Sequence, residues 1–233
     1  MMLRRLREEV FEANLEIVRR GLVLYTFGNA SGIERQRGLV VIKPSGVDYR
    51  RLKPGDLVVT DLKGKVVEGK LRPSSDLPTH LCLYRAFSGI GGIVHTHSTH
   101  AAAWAQSGRE IPCLGTTHAD YFRGAIPATA PLEKAEIDKD YEWNTGEAIV
   151  RRFAGLDPME MPAVLVAGHA PFCWARTPAE AAELAVILEE VARLAWKSVT
   201  VNPAVQPIRD ALRDKHFLRK HGSAASYGQP RKK

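Results

Sequence analysis

A chain of 233 residues is long enough for one α/β domain with a sizeable core. Its 45% apolar and 25% charged residues exclude wholesale disorder, and no apolar run approaches the roughly 20 residues of a membrane span. Of the net charge of +7, three units sit at Arg231, Lys232 and Lys233, which leaves a body of about +4 without a basic, aromatic-studded stripe for nucleic acid.

Residues 2–20 carry Leu3, Leu6, Val10, Ala13 and Ile17 at three- and four-residue steps, the spacing of an amphipathic helix. Their N-terminal part lacks the apolar core of a secretory signal. Gly28 to Gly32 reads as a short polar turn. Apolar runs at 39–42 and 57–60, flanked by Pro44-Ser45-Gly46, Pro54-Gly55 and Lys63-Gly64, read as strands joined by turns. Asp76 to Phe87 reads as a helix, and Ile90 to Val94 as a strand leading into His95. A helix is expected over 133–153, a buried strand over 163–167, and a strong helix over 179–197 with Leu184, Ile187, Leu188, Val191 and Leu194 on one face. Thr177-Pro178 supplies the start of that last helix, threonine as cap and proline in the first turn. Residues 206–220 read as a charged helix, and the chain from His221 onward has no periodicity. Cys82, Cys113 and Cys173 are odd in number and widely spaced, which fits reduced thiols in a cytoplasmic protein.

Six of the eight histidines lie mid-chain, at 80, 95, 97, 100, 118 and 169. His95-Thr96-His97 follows a strand, and rings at i and i+2 on extended backbone point to one side. His169 follows a second strand and is placed to add a third nitrogen. Three protein ligands with an open position describe a catalytic metal site, whereas the plainer alternative is a set of hydrogen-bonded polar residues at strand ends. Gly28-Asn29, Lys43-Pro44-Ser45-Gly46 and Pro73-Ser74-Ser75-Asp76 combine small residues with amide or hydroxyl donors. Ser74 and Ser75 precede a helix start, where free N–H groups favour an anion, although ordinary turn and cap chemistry uses the same residues.

Longer motifs go further. Ile42-Lys43-Pro44-Ser45-Gly46-Val47-Asp48-Tyr49, Pro73-Ser74-Ser75-Asp76 through His80, and Gly91-Gly92-Ile93-Val94-His95-Thr96-His97-Ser98 resemble the class II aldolase/epimerase family. Gly115 to Phe122, Tyr141-Glu142-Trp143, Asp214 to Gly222 and the closing Tyr227-Gly228-Gln229 resemble its epimerase branch, so that the likeness runs from about Leu3 to Gln229.

The resemblance implies an α/β fold: a single-domain, three-layer α/β/α sandwich around a mixed, mainly antiparallel sheet. The domain spans 1–222, with a tail at 223–233 that partly serves a neighbouring subunit's site. It implies one divalent ion per subunit, Zn2+ first with Mn2+ or Co2+ as alternatives, on His95, His97 and His169 with Asp76 as a carboxylate ligand. The related aldolases carry glutamate where Asp76 stands, so aspartate favours an epimerase over the alternative, a fuculose-phosphate-like sugar-phosphate aldolase. Asn29, Lys43, Ser45, Gly46, Ser74 and Ser75 fall on the family's phosphate-binding positions. Asp120 and Tyr227 fall on its acid–base pair, Tyr227 arriving from the next subunit of a homotetramer. Thr116, Glu142, His216 and Arg219 are supporting candidates. The implied reaction interconverts L-ribulose 5-phosphate and D-xylulose 5-phosphate in pentose breakdown, with a small sugar phosphate and further copies of the chain as the only partners, and no membrane or nucleic acid. A catalytically dead, adducin-like binding module is the rival from another class, and the retained histidines, Asp76 and Asp120 argue against it. The sequence departs from the family's pattern at Ala167-Gly168-His169-Ala170, where residues on both sides of the histidine differ.

Overall fold

A computed structural model describes residues 1–222, 225 and 226. In chain order the elements are α1 (Arg4–Arg19), β1 (Asn29–Glu34), β2 (Leu39–Ile42), β3 (Val58–Asp61), β4 (Val66–Glu68), α2 (Leu77–Ala86), β5 (Gly92–His95) and α3 (Thr99–Gln106). There follow α4 (Thr116–Ala119), α5 (Lys134–Asp138), α6 (Tyr141–Arg152), β6 (Ala163–Leu165), β7 (Pro171–Ala175), α7 (Pro178–Val201) and α8 (Asp210–His221). The strands form one sheet in the order β4-β3-β2-β1-β5-β7-β6. Each neighbouring pair is antiparallel, and among the described residues the one parallel contact is an isolated bridge from Ala128 to Leu165.

Two consecutive residues of β1 show why there are three layers. Side chains alternate across a strand. At Gly32 an added Cβ would lie 2.8–2.9 Å from Leu6, Val10 and Pro178, so α1 and the start of α7 pack directly on that face. Ser31 points the other way, its Oγ 2.7 Å from His80 Nδ1 and 2.8 Å from Tyr84 Oη, so α2 covers the opposite face. Helix α6 lies against α2 closely enough that a Cβ at Gly146 would meet Cys82 Cβ at 2.5 Å. The core runs through both faces, with Val40, Val41, Ile93, Val164 and Trp174 fully buried.

Thr177 caps α7 as expected, its hydroxyl accepting from Glu180 N at 3.2 Å with Pro178 in the first turn. Two expectations need correction. The segment read as a polar turn at 28–32 is mostly β1, near the centre of the sheet. Its small residues reflect close helix packing and not a reversal of the chain. The helix expected over 133–153 is broken into α5 and α6, because Asp140 takes the left-handed conformation at φ 55° and starts a new helix. β7 was not anticipated at all, although Pro171 to Ala175 are all buried. Cys82, Cys113 and Cys173 are free and buried. Among the described residues no helix is long and apolar enough to cross a membrane.

Candidate metal centre

The sheet register builds the site. His95 ends β5 and pairs with Asn29 of β1 on one side and Phe172 of β7 on the other. Phe172 stacks on the His95 ring at 4.2 Å between centroids. His95 Nδ1 donates to the Pro171 carbonyl at 2.9 Å, which fixes the tautomer and leaves Nε2 with a lone pair. His97 follows two residues later, its Nε2 3.1 Å from His95 Nε2. His169 comes from the β6–β7 turn, which Gly168 makes possible at φ 70° and which the bonds His169 N to Val166 O and Val166 N to Ala170 O close.

The three rings stand in a nearly equilateral triangle, with centroids 4.9, 5.0 and 5.0 Å apart. One nitrogen from each lies within 4.8 Å of the others. Two imidazoles on one zinc ion, at bonds of about 2.0–2.1 Å and tetrahedral angles, sit about 3.3 Å apart, close to the His95–His97 spacing. The His169 Nδ1 is buried without a hydrogen-bond partner. Desolvation and the neighbouring imidazoles lower the pKa of His97, and lower that of His169 to about 4, so both are neutral at pH 7, as metal ligands must be. His95 is buried, His169 half-buried and His97 exposed, so an ion here is reachable from solvent. The donor set fits a divalent metal with an open coordination position.

The same cavity, of about 340 Å³, is lined by Asn29, Lys43, Ser45, Ser74, Ser75 and Asp76 together with the histidines. Asp76 is the first residue before α2. Burial works to raise its pKa, but His95, His80, His169 and a 2.6 Å hydrogen bond from Asn29 Nδ2 outweigh it and hold the carboxyl low. Its carboxylate turns to Asn29 and stands outside the compact histidine triad. Lys43 leaves β2 with its ammonium 4.5 Å above the Tyr49 ring, and burial lowers its pKa to about 8. The Lys43–Ser45 strip is tied to Arg72–Ser74 by Ser45 N to Arg72 O at 2.9 Å and Ser74 N to Lys43 O at 3.0 Å, which brings two of the three suspected anion segments together. Gly46 lies one step away, in a surface groove with Asp48 and Arg51.

A second cluster forms elsewhere on the chain. Helix α8 folds back over α4, and Asp120 accepts from Arg219 at 2.9 and 3.0 Å and from His216 Nδ1 at 3.0 Å, with Lys220 3.7 Å away. Burial pushes the Asp120 pKa up, but these donors outweigh it and lower it. Neither Thr116, Asp120, His216 nor Arg219 lines the metal cavity, whereas Glu142 does. Tyr227 lies outside the described residues. Two cavity residues went unnoticed in the sequence, Thr26 and Phe27, whose ring is 5.9 Å from that of His97; Tyr141, quoted there only within a motif and given no site role, lies 6.4 Å from the His169 ring. The exposed aromatic Phe27 directly before Gly28-Asn29 was the one available signal.

Residues 8–196 match the family described as Class II Aldolase and Adducin N-terminal domain. The chain belongs to that family. Within it, the chain is 53% identical over 97% of its length, and over 100% of the relative's, to the L-ribulose-5-phosphate 4-epimerase UlaF of Salmonella paratyphi B. Among solved structures it resembles an L-fuculose 1-phosphate aldolase at 25% identity and TM-score 0.77, covering 91% of this chain and 94% of the other. It also resembles YgbL of Klebsiella pneumoniae, described as a putative aldolase/epimerase/decarboxylase, at 25% identity and TM-score 0.70, covering 92% and 99%. A class II aldolase domain therefore supplies the scaffold on which the triad sits.

Proposed function

We propose that this protein is a metal-dependent epimerase that interconverts L-ribulose 5-phosphate and D-xylulose 5-phosphate. The observation that carries the reading is one cavity holding three mutually close imidazoles beside a buried lysine and serine-rich loops. The 53% identical relative bears the name of that activity. Aspartate at position 76, rather than the glutamate of the related aldolases, points the same way.

C4 of the substrate is β to the C2 ketone, so its hydrogen is not acidic. Breaking C3–C4 in a retro-aldol step avoids that obstacle, giving a three-carbon enediolate and glycolaldehyde phosphate. Half a turn of the aldehyde followed by re-addition inverts C4. His95, His97 and His169, with Asp76 beside them, would hold a divalent ion, which would supply Lewis-acid stabilisation of the developing negative charge. Zn2+ suits three imidazoles and a carboxylate best, with Mn2+ or Co2+ as alternatives. Lys43, Asn29, Ser45, Ser74 and Ser75 hold the phosphate, with Gly46 shaping the loop, and keep the aldehyde from leaving while it turns. The C4 hydroxyl must lose its proton on one face and regain one on the other. Asp120 and Tyr227 are assigned to these two faces, a carboxylate and a phenol of very different intrinsic pKa.

Because Asp120, His216 and Arg219 do not line the cavity of their own chain, we assign them to the cavity of a neighbouring copy in a homotetramer, with Thr116 and the 223–233 tail alongside. We place the enzyme in the cytoplasm, in line with its free thiols. A coupled assay for D-xylulose 5-phosphate tests the reading. Activity should vanish on chelation, return with Zn2+ or Mn2+, and fall in Tyr227→Phe. Absence of any metal-restorable conversion would overturn the reaction, and unchanged turnover in Tyr227→Phe would remove the tail from it.

A further inference from the structure

Helix α3 stands behind the triad and touches the segments that carry all three histidines. It begins two residues after His97. Near its other end, the Ala105 carbonyl accepts a 3.0 Å hydrogen bond from the backbone N–H of Gly168, the residue before His169. A shift of α3 therefore moves both ligand-bearing loops relative to each other.

The first N–H groups of a helix have no partner within it. In α3 the expected cap, Ser98, makes no side-chain cap bond. Glu189, in the middle of α7, takes that place. Its carboxylate accepts from His100 N at 2.9 and 3.1 Å, from Ala101 N at 3.0 Å and from His100 Nδ1 at 2.7 Å. One carboxylate, only 17% exposed, thus satisfies three donors at the positive end of the helix, each bond strengthened by the charge. A second tie, Trp104 Nε1 to Ala192 O at 3.0 Å, fixes the C-terminal half of α3 to the same helix. Helix α7 itself packs on β5 and β7, the strands that present His95 and follow His169.

We propose that Glu189 is a positioning residue for the metal centre, locking α3 and through it the His95–His97 loop against the His169 turn. It neither lines the cavity nor belongs to the triad. Removing the carboxylate leaves three donors unsatisfied at the helix end next to His97, which then frays. The inference rests on the triad holding an ion, so the test reads metal binding directly.

The ion is stripped from wild-type protein, Glu189→Ala, Glu189→Gln and Arg7→Met, and Co2+ and Zn2+ affinities are measured by chelator competition with the Co2+ absorption spectrum. Glu189→Ala should bind the metal about 10- to 100-fold more weakly, the scale set by partners that orient metal ligands, and its Co2+ bands should shift. Glu189→Gln keeps an accepting oxygen and should fall between. It also serves if the alanine variant fails to fold. Arg7→Met loses bonds to the Pro54 and Leu57 carbonyls, which lead into β3, three places from β5 in the sheet order. It should lower Tm while keeping wild-type affinity and spectrum. Wild-type affinity and spectrum in both Glu189 variants, or equal weakening in Arg7→Met, would overturn the inference. A wild-type protein that binds neither ion would instead overturn the metal reading of the triad, and this inference with it.

Discussion

Lys43→Met separates binding from stability in one substitution. The Lys43 side chain is buried, with its ammonium over Tyr49 and at the cavity wall. A hydrogen bond to a charged group contributes about 1.5–3 kcal/mol, so losing this cation opposite a phosphate should lower kcat/KM by about 10- to 150-fold, with most of the change in KM. The same burial lowers the lysine's pKa from 10.5 to about 8. The unfolded chain therefore holds more protons than the folded one between about pH 8 and 10.5, and folding stability rises with pH across that window. Below it the desolvated ammonium is a standing cost. Methionine fills similar space without the charge. If it recovers about 1 kcal/mol, Tm at pH 7 rises by about 2–4 °C, and the gain shrinks as pH approaches 10. In the wild type, kcat/KM should fall above about pH 8 as the ammonium deprotonates, and this limb should be absent in the variant. Steady-state kinetics against pH and thermal melts at pH 7 and 10 check both arms. A variant with wild-type kcat/KM, or one that melts lower at pH 7, would refute the assignment of Lys43 as a desolvated, phosphate-facing cation.

Mixing inactive subunits tests whether sites are shared. His97→Ala should abolish stoichiometric metal content and Asp120→Asn should lose turnover, yet subunits refolded together at equal amounts should regain about a quarter of wild-type activity, the random frequency of an intact cavity beside an intact Asp120. No regain would place Asp120 and the triad in one chain. Gly146→Ala forces a methyl 2.5 Å from Cys82 Cβ. It should part α2 from α6 and cost about 1–3 kcal/mol, read as a Tm lower by several degrees, with Asp76 at the start of α2 and Glu142 on α6 displaced together. An unchanged melt would mean the helices part freely.

What could be read from the sequence was what local chemistry encodes. Helices α1 and α7 carry an apolar stripe, and α7 a genuine threonine cap, so both were legible with small errors at their ends. The three histidines were legible because two strand ends announce them. Strand β1 was not, since its Gly28-Asn29-Ala30-Ser31-Gly32 composition copies that of a turn while actually serving contacts with α1, α2 and α7. The break at Asp140 depends on a single left-handed residue that the helical periodicity around it conceals. Asp120 clamped by α8 and Glu189 capping α3 both depend on segments meeting across the fold, over roughly 90–100 residues. No local pattern marks such pairs.

As an epimerase, the protein must keep both halves of the cleaved sugar phosphate in one cavity until they rejoin. Following ¹³C-labelled L-ribulose 5-phosphate by NMR with the metal-loaded enzyme tests it most directly. D-xylulose 5-phosphate should grow to an equilibrium mixture, with no free glycolaldehyde phosphate. Accumulating glycolaldehyde phosphate and dihydroxyacetone would contradict it and make the protein an aldolase.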